Sequence, residues 1–331
     1  MKLVVVSGRS GSGKSVALHA LEDQGYQCID NLPVSMLPAL VATAMEGDSR
    51  TPFAVSIDAR NLPQELDRFP EILESLHGMQ LRRSSGTRDD ILIEIVFLDA
   101  DSTTLVRRFS ETRRRHPLTG ATVHLREALE AESELLAGIA NLADLHLDTS
   151  NLTLHELREE IRERVADRAT PRLSLMFRSF GFRGGVPVDA DLVFDVRCLP
   201  NPHWQPELSA RTGRDAPVAA WLSGQPDVMA MEEDLRSFLE RWLPAFERSN
   251  RSYMTVAIGC TGGQHRSVYL AERLAAHFAG GDADVLVRHR ELAIIERVRP
   301  APMVAVSATA SPEARPMPAD GASPRDPPPD A

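Results

Sequence analysis

Eight residues, Gly8-Arg9-Ser10-Gly11-Ser12-Gly13-Lys14-Ser15, constrain this chain more than any other stretch. They follow the apolar run Leu3-Val4-Val5-Val6 and precede an amphipathic segment that opens at Val16. A turn of the form G-x-x-x-x-G-K-[ST] between a buried strand and a helix lets the backbone curl around phosphates, with successive N–H groups and the helix N-terminus facing the anion. Lys14 is then placed for the β- and γ-phosphates, and the Ser15 hydroxyl for Mg2+. Lys2 and Lys14 are the only lysines in a chain otherwise cationic through arginine. A compact ammonium suits such a loop better than a planar guanidinium does.

The chain beyond the loop alternates strand-like and helical stretches. After a helix from Ser15 to about Gln24, Tyr26 to Ile29 reads as a short strand ending at Asp30-Asn31. A helix from about Val34 to Glu46 and the strand Phe53 to Ile57, which ends at Asp58, come next. A helical stretch from about Pro63 to Gly78, a polar loop from Arg82 to Asp90, the strand Ile91 to Leu98 ending at Asp99, and a fifth strand at Leu145 to Leu147 complete this half. The alternation predicts a P-loop NTPase-like α/β domain, a parallel sheet covered on both faces, with ligands at the carboxyl ends of its strands. Asp30, Asp58 and Asp99 lie at such ends, and each is a candidate to hold Mg2+. An ordinary cap or turn aspartate is the alternative for any of them. Lys14, Ser15 and Asp99 form the expected catalytic set. The arginines Arg113, Arg114 and Arg115 either form a lid over the phosphate loop, like the arginine-bearing lid of small nucleotide kinases, or end a solvated basic helix.

Length and charge bound the rest. The 331 residues suggest two domains, and a formal net charge of −10 argues against wholesale wrapping of nucleic acid while leaving room for a local basic patch. Cys28, Cys198 and Cys260 are far apart and lack any C-x-x-C pairing, which fits a reducing compartment. No apolar run approaches the roughly 20 residues that span a bilayer, so a soluble cytoplasmic protein is expected. The division read from the sequence is a nucleotide-binding domain over 1–153, a charged helical connector over 154–171, and a smaller α/β domain over 172–297. A proline- and alanine-rich tail, expected to be disordered, occupies 298–331.

The second domain carries its own anion loop. An apolar strand from Tyr253 to Gly259 runs into Cys260-Thr261-Gly262-Gly263-Gln264-His265-Arg266-Ser267 and a helix with apolar residues at Val268, Ala271, Leu274, Ala275 and Phe278. The loop also fits C-x5-R-[ST], in which a cysteine thiolate is favoured by a helix N-terminus and an arginine. Three readings stay open: a non-catalytic site for phosphate or a phospho-metabolite, a buried structural cysteine, or a phosphatase, which would also need a general acid. Asp195, Arg197, Asn201 and His203 follow the strand that opens at Leu192 and are candidates to line the same pocket.

Together with Cys28-Ile29-Asp30-Asn31-Leu32-Pro33, Glu111 to Leu118, Phe177-Arg178-Ser179-Phe180-Gly181-Phe182 and Gly259 to Tyr269, the two loops give a chain that resembles the RapZ/YvcJ family from Met1 to about Glu296. The resemblance implies an N-terminal nucleotide-binding domain with weak ATPase and GTPase activity and a C-terminal domain that senses glucosamine-6-phosphate and binds RNA. It maps ATP onto Gly8 to Ser15, GTP contacts onto Asp58-Ala59-Arg60-Asn61, and the phosphosugar onto His203, Cys260, Thr261, Gly262 and Arg266. Enteric members act as oligomeric adapters that present a small regulatory RNA to a ribonuclease. Here Arg288-His289-Arg290 is followed by mixed sequence rather than a run of basic residues, and the guanine-reading N-K-x-D segment of GTPases is missing. The expectation is a cytoplasmic, regulatory, homo-oligomeric ATPase/GTPase using ATP, GTP and Mg2+, with a phosphosugar effector. The alternatives are a small-molecule kinase, a Cys260 phosphatase, or a non-enzymatic adapter.

Overall fold

The computed structural model describes residues 2–46, 51–77, 80–82, 88–113, 115–119, 123–167, 172–249, 251–281 and 283–293. The first part comprises β1 (Lys2–Gly8), α1 (Lys14–Asp23), β2 (Gln27–Ile29), α2 (Leu37–Glu46), β3 (Phe53–Ile57), α3 (Pro63–Asp67) and α4 (Phe69–His77). It continues through β4 (Gln80–Arg82), β5 (Arg88–Asp90), β6 (Leu92–Asp99), α5 (Ser102–Thr112), α6 (Leu125–Leu135), α7 (Ala137–Asn141), β7 (Leu145–Asp148) and α8 (Leu154–Ile161). The second part holds β8 (Ser174–Gly181), β9 (Leu192–Asp195), α9 (Ala216–Ser223), α10 (Pro226–Arg248), β10 (Tyr253–Cys260), α11 (Arg266–Phe278) and β11 (Asp284–His289).

Two parallel sheets organise the molecule. The first has the order β2-β3-β1-β6-β7 and the second β11-β8-β10-β9. β1 lies between β3 and β6, so Leu3, Val4, Val5 and Val6 are buried on both faces, which is why they form an unbroken apolar run rather than an alternating one. One face of this sheet packs Leu3, Val5, Val55, Ile57 and Ile95 against α2, α4 and α7. The opposite face packs Val4, Val6, Ala54 and Val96 against α1 and α8. In the second sheet β8 is flanked by β10 and β11, so it is buried on both sides although its sequence alternates.

Three local details differ from the sequence pattern, each for a backbone reason. Within Arg82 to Asp90, expected as a polar loop, Arg88–Asp90 pairs antiparallel with Gln80–Arg82, and residues 83–87 lie outside the described residues. A two-stranded ladder needs only backbone groups, so no apolar alternation announces it. The helical stretch from Pro63 splits into α3 and α4, because Pro70 has no N–H to continue a helix and sits naturally in the first turn of a new one. The stretch from Val34 opens with a 3₁₀ turn, Val34–Met36, before α2, whose second residue is Pro38.

The segment read as a connector is packed against the first sheet. Leu157, Ile161 and Val165 recur every fourth position and enter the core beside α1, with Tyr253 of β10 in the same cluster, while Leu154 at the start of α8 is exposed. A π-helical turn, Arg162–Ala166, follows α8. Polar contacts join the two sheets: the Tyr253 hydroxyl donates to the buried Glu94 carboxylate at 2.9 Å, and Arg288 Nε donates to Glu160 at 3.1 Å. Among the described residues no helix is long and apolar enough to cross a membrane. The tail expected to be disordered lies outside the described residues.

Candidate functional site

The loop after β1 is shaped by glycine. Gly8 has φ 142°, and a Cβ there would fall 1.9 Å from the Leu98 carbonyl oxygen, so only glycine lets β1 and β6 end side by side. α1 begins at Lys14, and its first N–H groups have no acceptors within the helix. The Lys14 ammonium is buried and folded into the loop, donating to the carbonyls of Gly8 at 2.7 Å and Arg9 at 3.2 Å. Burial lowers the Lys14 pKa, against the opposing pull of the carboxylates of Glu132, Asp58 and Asp30. Ser15 is exposed at the start of the helix, and Ser12 Oγ is buried without a hydrogen-bond partner among the described residues.

The strand order places Asp58 and Asp99 on opposite sides of the loop, at the ends of β3 and β6, with Asp30 one strand farther out. Asp99 takes the guanidinium of Arg9, whose Nε lies 2.7 Å from its carboxylate, while Arg9 Nη2 donates to the Ala100 carbonyl at 2.5 Å. Arg9 is thereby directed toward β6. Asp58 is buried and paired with Arg60 at 2.7 Å. Burial alone would raise the Asp58 pKa, but hydrogen bonds from Arg60 and the charge of Lys14 outweigh it and hold the carboxyl below its usual range. Asp30 accepts from Ser56 Oγ. Asn61 is spent on the backbone, its Oδ1 accepting from Val34 N at 2.9 Å, and Ala59 is buried.

Of the three arginines expected as a lid, Arg113 ends α5 in the left-handed conformation at φ 51°, Arg115 is exposed, and Arg114 lies outside the described residues. Arg108, one turn earlier, is the arginine that reaches the loop. Its Nη1 donates to the Gly11 carbonyl and to Thr149 Oγ1, each at 3.0 Å, and its Nη2 to the Thr149 carbonyl at 2.6 Å. Thr149 Oγ1 in turn donates to the Ser12 carbonyl at 2.8 Å. From α6, Glu132 accepts from both the N–H and the hydroxyl of Ser10. Nothing in the sequence pattern singles out Arg108, Thr149 or Glu132, because each meets the loop only through tertiary packing.

The second loop connects β10 to α11. Cys260 is buried, with its Sγ 3.2 Å from Gly263 N, which donates to it, and 3.1 Å from Ser267 Oγ. Burial pushes the Cys260 thiol up, but the hydrogen bonds of Ser267 and Gly263 and the charge of Arg266 prevail and bring it below the usual cysteine value. Arg266 donates from Nη1 to the carbonyls of Arg197 and Leu199, both at 2.9 Å, and from Nη2 to Thr261 Oγ1 at 3.3 Å. Its Nε is buried and unpartnered among the described residues. Gly263 has φ 68°, and the Gln264 carbonyl accepts from Gly213 N at 2.8 Å. Burial also lowers the pKa of His265, whose Nε2 is buried without a partner among the described residues.

β9 lies beside β10, with Asp195 opposite Gly259, so Asp195 and Arg197 stand next to the mouth of this loop. They bind each other, Nη2 to Oδ2 at 2.6 Å, and that bond holds the Asp195 carboxyl below its usual range. Asn201 Oδ1 accepts from His203 N at 3.3 Å, and the rings of His203 and His265 are 6.3 Å apart. Asp195, Arg197, His203 and the residues from Cys260 to Ser267 are therefore gathered at the carboxyl ends of β9 and β10, and Thr261 is exposed there.

Known proteins place the chain. The model of the RapZ-like N-terminal domain matches residues 1–169, and that of the RapZ C-terminal domain matches residues 173–293. A nucleotide-binding protein of Nitrosococcus oceani is 56% identical over 293 residues, covering 88% of this chain and 100% of its own length. One from Chromohalobacter salexigens is 55% identical over 296 residues, covering 89% and 96%. Among solved structures, a shikimate kinase from Bacteroides thetaiotaomicron overlaps 49% of this chain and 96% of its own, at 12% identity and a TM-score of 0.32. With both domain models matched in order and relatives aligned along nearly their whole length, the chain belongs to the RapZ family.

Proposed function

We propose that the protein binds a nucleoside triphosphate with Mg2+ at Gly8–Ser15 and hydrolyses it, and that the Cys260–Ser267 loop binds a phosphorylated small molecule as effector. The observation that carries the first half is the Lys14 ammonium, buried and aimed inside a glycine-built loop at the start of α1. A buried cation in such a nest is matched by the β- and γ-phosphates. The orphaned hydroxyl of Ser12 fits the same ligand. Ser15 and Asp58 would hold Mg2+, since one is an exposed hydroxyl on the first turn of α1 and the other a carboxyl kept ionised below its usual range. When bound, Mg2+ supplies charge neutralisation at the phosphate oxygens. Asp99 differs in that its arginine, Arg9, belongs to the loop itself, so that pair ties the loop to β6. With no base-reading N-K-x-D segment, both ATP and GTP are accepted.

At the second loop, Arg266 and the N–H groups at the start of α11 provide the phosphate contacts. Asp195 supplies an acceptor for hydroxyl or ammonium groups, which suits a phosphorylated amino sugar. The same carboxylate disfavours the phosphatase reading, because a group that Arg197 keeps ionised has no proton to give a leaving oxygen. RNA contact through Arg288 and Arg290 would compete with their existing pairs, Glu160 for Arg288 and Glu291 for Arg290.

Isothermal titration with MgATP and with glucosamine-6-phosphate tests both halves. Lys14→Ala is expected to abolish ATP binding and turnover while sparing the sugar phosphate, and Arg266→Ala to do the reverse. Unchanged ATP affinity in folded Lys14→Ala would falsify the nucleotide reading.

A further inference from the structure

We propose that Glu132, backed by His116, is a positioning residue of the nucleotide site. It holds Ser10, and with it the outer half of the phosphate loop, in the shape that receives phosphate. This inference rests on the reading of Gly8–Ser15 as a nucleotide site.

Glu132 projects from α6, and its side chain and that of His116 are both 0% exposed. Three donors converge on the carboxylate. Ser10 N donates to Oε2 at 2.8 Å, Ser10 Oγ donates to Oε1 at 2.7 Å, and His116 Nε2 lies 2.9 Å from Oε2. The tautomer of His116 follows from its other nitrogen. Leu118 N donates to Nδ1 at 3.1 Å, so Nδ1 is an acceptor, and the proton sits on Nε2, facing Glu132. The His116 ring is braced by Phe109 of α5, with centroids 5.3 Å apart.

A carboxylate removed from water is costly unless hydrogen bonds and charge compensate it. Here burial alone would raise the Glu132 pKa, but the bonds from His116 and Ser10, with the charge of Lys14, hold it below the ordinary range. Glu132 therefore stays anionic inside the fold, which gives it two effects. It fixes the Ser10 N–H away from the anion nest, so the loop cannot turn that peptide over. It also supports the charged form of Lys14 against burial, since Glu132 is the largest of the carboxylate influences on that ammonium.

Glu132→Gln tests this with little change of shape. An amide oxygen in the place of Oε2 still accepts from Ser10 N and His116 Nε2, but without charge, and an NH2 in the place of Oε1 forces the Ser10 hydroxyl to turn from donor to acceptor, so the charge-assisted bonds to Ser10 are lost. The expected result is MgATP affinity lower by about 10- to 100-fold, the range over which outer groups that orient ligating residues act. Residues outside the loop should keep their amide resonances. The Ser10 amide resonance, displaced downfield by a carboxylate acceptor, should move upfield in the variant before any nucleotide is added. That shift reports the loss of the charged acceptor at Ser10, and the MgATP affinity reports its consequence for the loop. Wild-type affinity in a Glu132→Gln protein with a native spectrum overturns the proposal. If that variant does not fold, His116→Ala and Ser10→Ala carry the test: weaker MgATP binding in both supports it, and wild-type affinity in both overturns it. Lys14→Ala keeps the two readings apart, because an inert Lys14→Ala defeats the nucleotide site itself, whereas an ATP-dead Lys14→Ala beside an unaffected Glu132→Gln defeats only the role of Glu132.

Discussion

Tyr253→Phe removes a single oxygen from the seam between the two sheets, so its effect can be worked out closely. Tyr253 begins β10 and is buried, and its hydroxyl donates at 2.9 Å to Glu94, a buried carboxylate in the middle of β6. A hydrogen bond to a charged group contributes about 1.5–3 kcal/mol. Glu94 keeps Lys2 at 3.0 Å, which places the loss at the lower end, about 1.5–2 kcal/mol. The ring is unchanged, so no cavity cost is added. For a unit of about 150–250 residues each kcal/mol moves Tm by about 2–4 °C, which predicts a drop of about 3–8 °C. Urea unfolding followed by circular dichroism, alongside calorimetry, measures it, with the denaturant slope expected to stay constant. A loss below about 0.5 kcal/mol, the level of an ordinary surface substitution, would show that this bond does not hold the two sheets together.

Cysteine reactivity and acid stability give two further checks. Burial, with Glu22 adding to it, pushes the Cys28 thiol up to about 11, so at pH 8 only about one molecule in a thousand carries the thiolate there. Iodoacetamide at that pH should label the exposed Cys198 long before Cys28, and equal rates by peptide mass spectrometry would contradict the assignment. Asp101 caps α5 by accepting from Thr104 N at 2.8 Å, and despite the opposing effect of desolvation that bond and its neighbours lower its pKa from 3.8. A depressed folded pKa means the unfolded chain takes up more protons in acid, so the cap contributes fully above pH 3.8 and is lost as pH falls through the folded value. Asp101→Ala should cost about 1 kcal/mol near pH 7 and clearly less near pH 2, measured as the difference in urea midpoints; equal costs at both pH values would rule the cap out as the cause.

Much of the architecture was legible because it is encoded locally. The glycines, Lys14 and Ser15 of the first loop are contiguous, and so are Cys260 to Ser267. A nest for an anion is made by consecutive backbone N–H groups and therefore leaves its signature in consecutive residues. The buried strands at Leu3, Phe53, Ile91 and Tyr253 are likewise apolar runs that a short window can detect. By contrast, β11 ends in Arg288 and His289 and holds only three consecutive apolar residues, and the antiparallel pair β4–β5 has no apolar alternation in its sequence.

Which side chains surround the first loop was decided by tertiary structure. Sequence places aspartates at the ends of β2, β3 and β6 alike. Only the strand order β2-β3-β1-β6-β7 shows that Asp58 and Asp99 flank the loop while Asp30 is a strand removed, and only packing gives Asp99 to Arg9. Arg113 to Arg115 draw attention as a charge run, yet α5 turns Arg108 toward Gly11, because a helix presents one face to its neighbour whatever the charge on the others. Glu132 meets Ser10 across 122 residues of chain. Sequence by itself determined where the candidate anion loops lie, since such a loop belongs to a short backbone segment. Which distant side chains hold and charge that segment was settled by the fold, because their proximity exists only after the sheet has assembled.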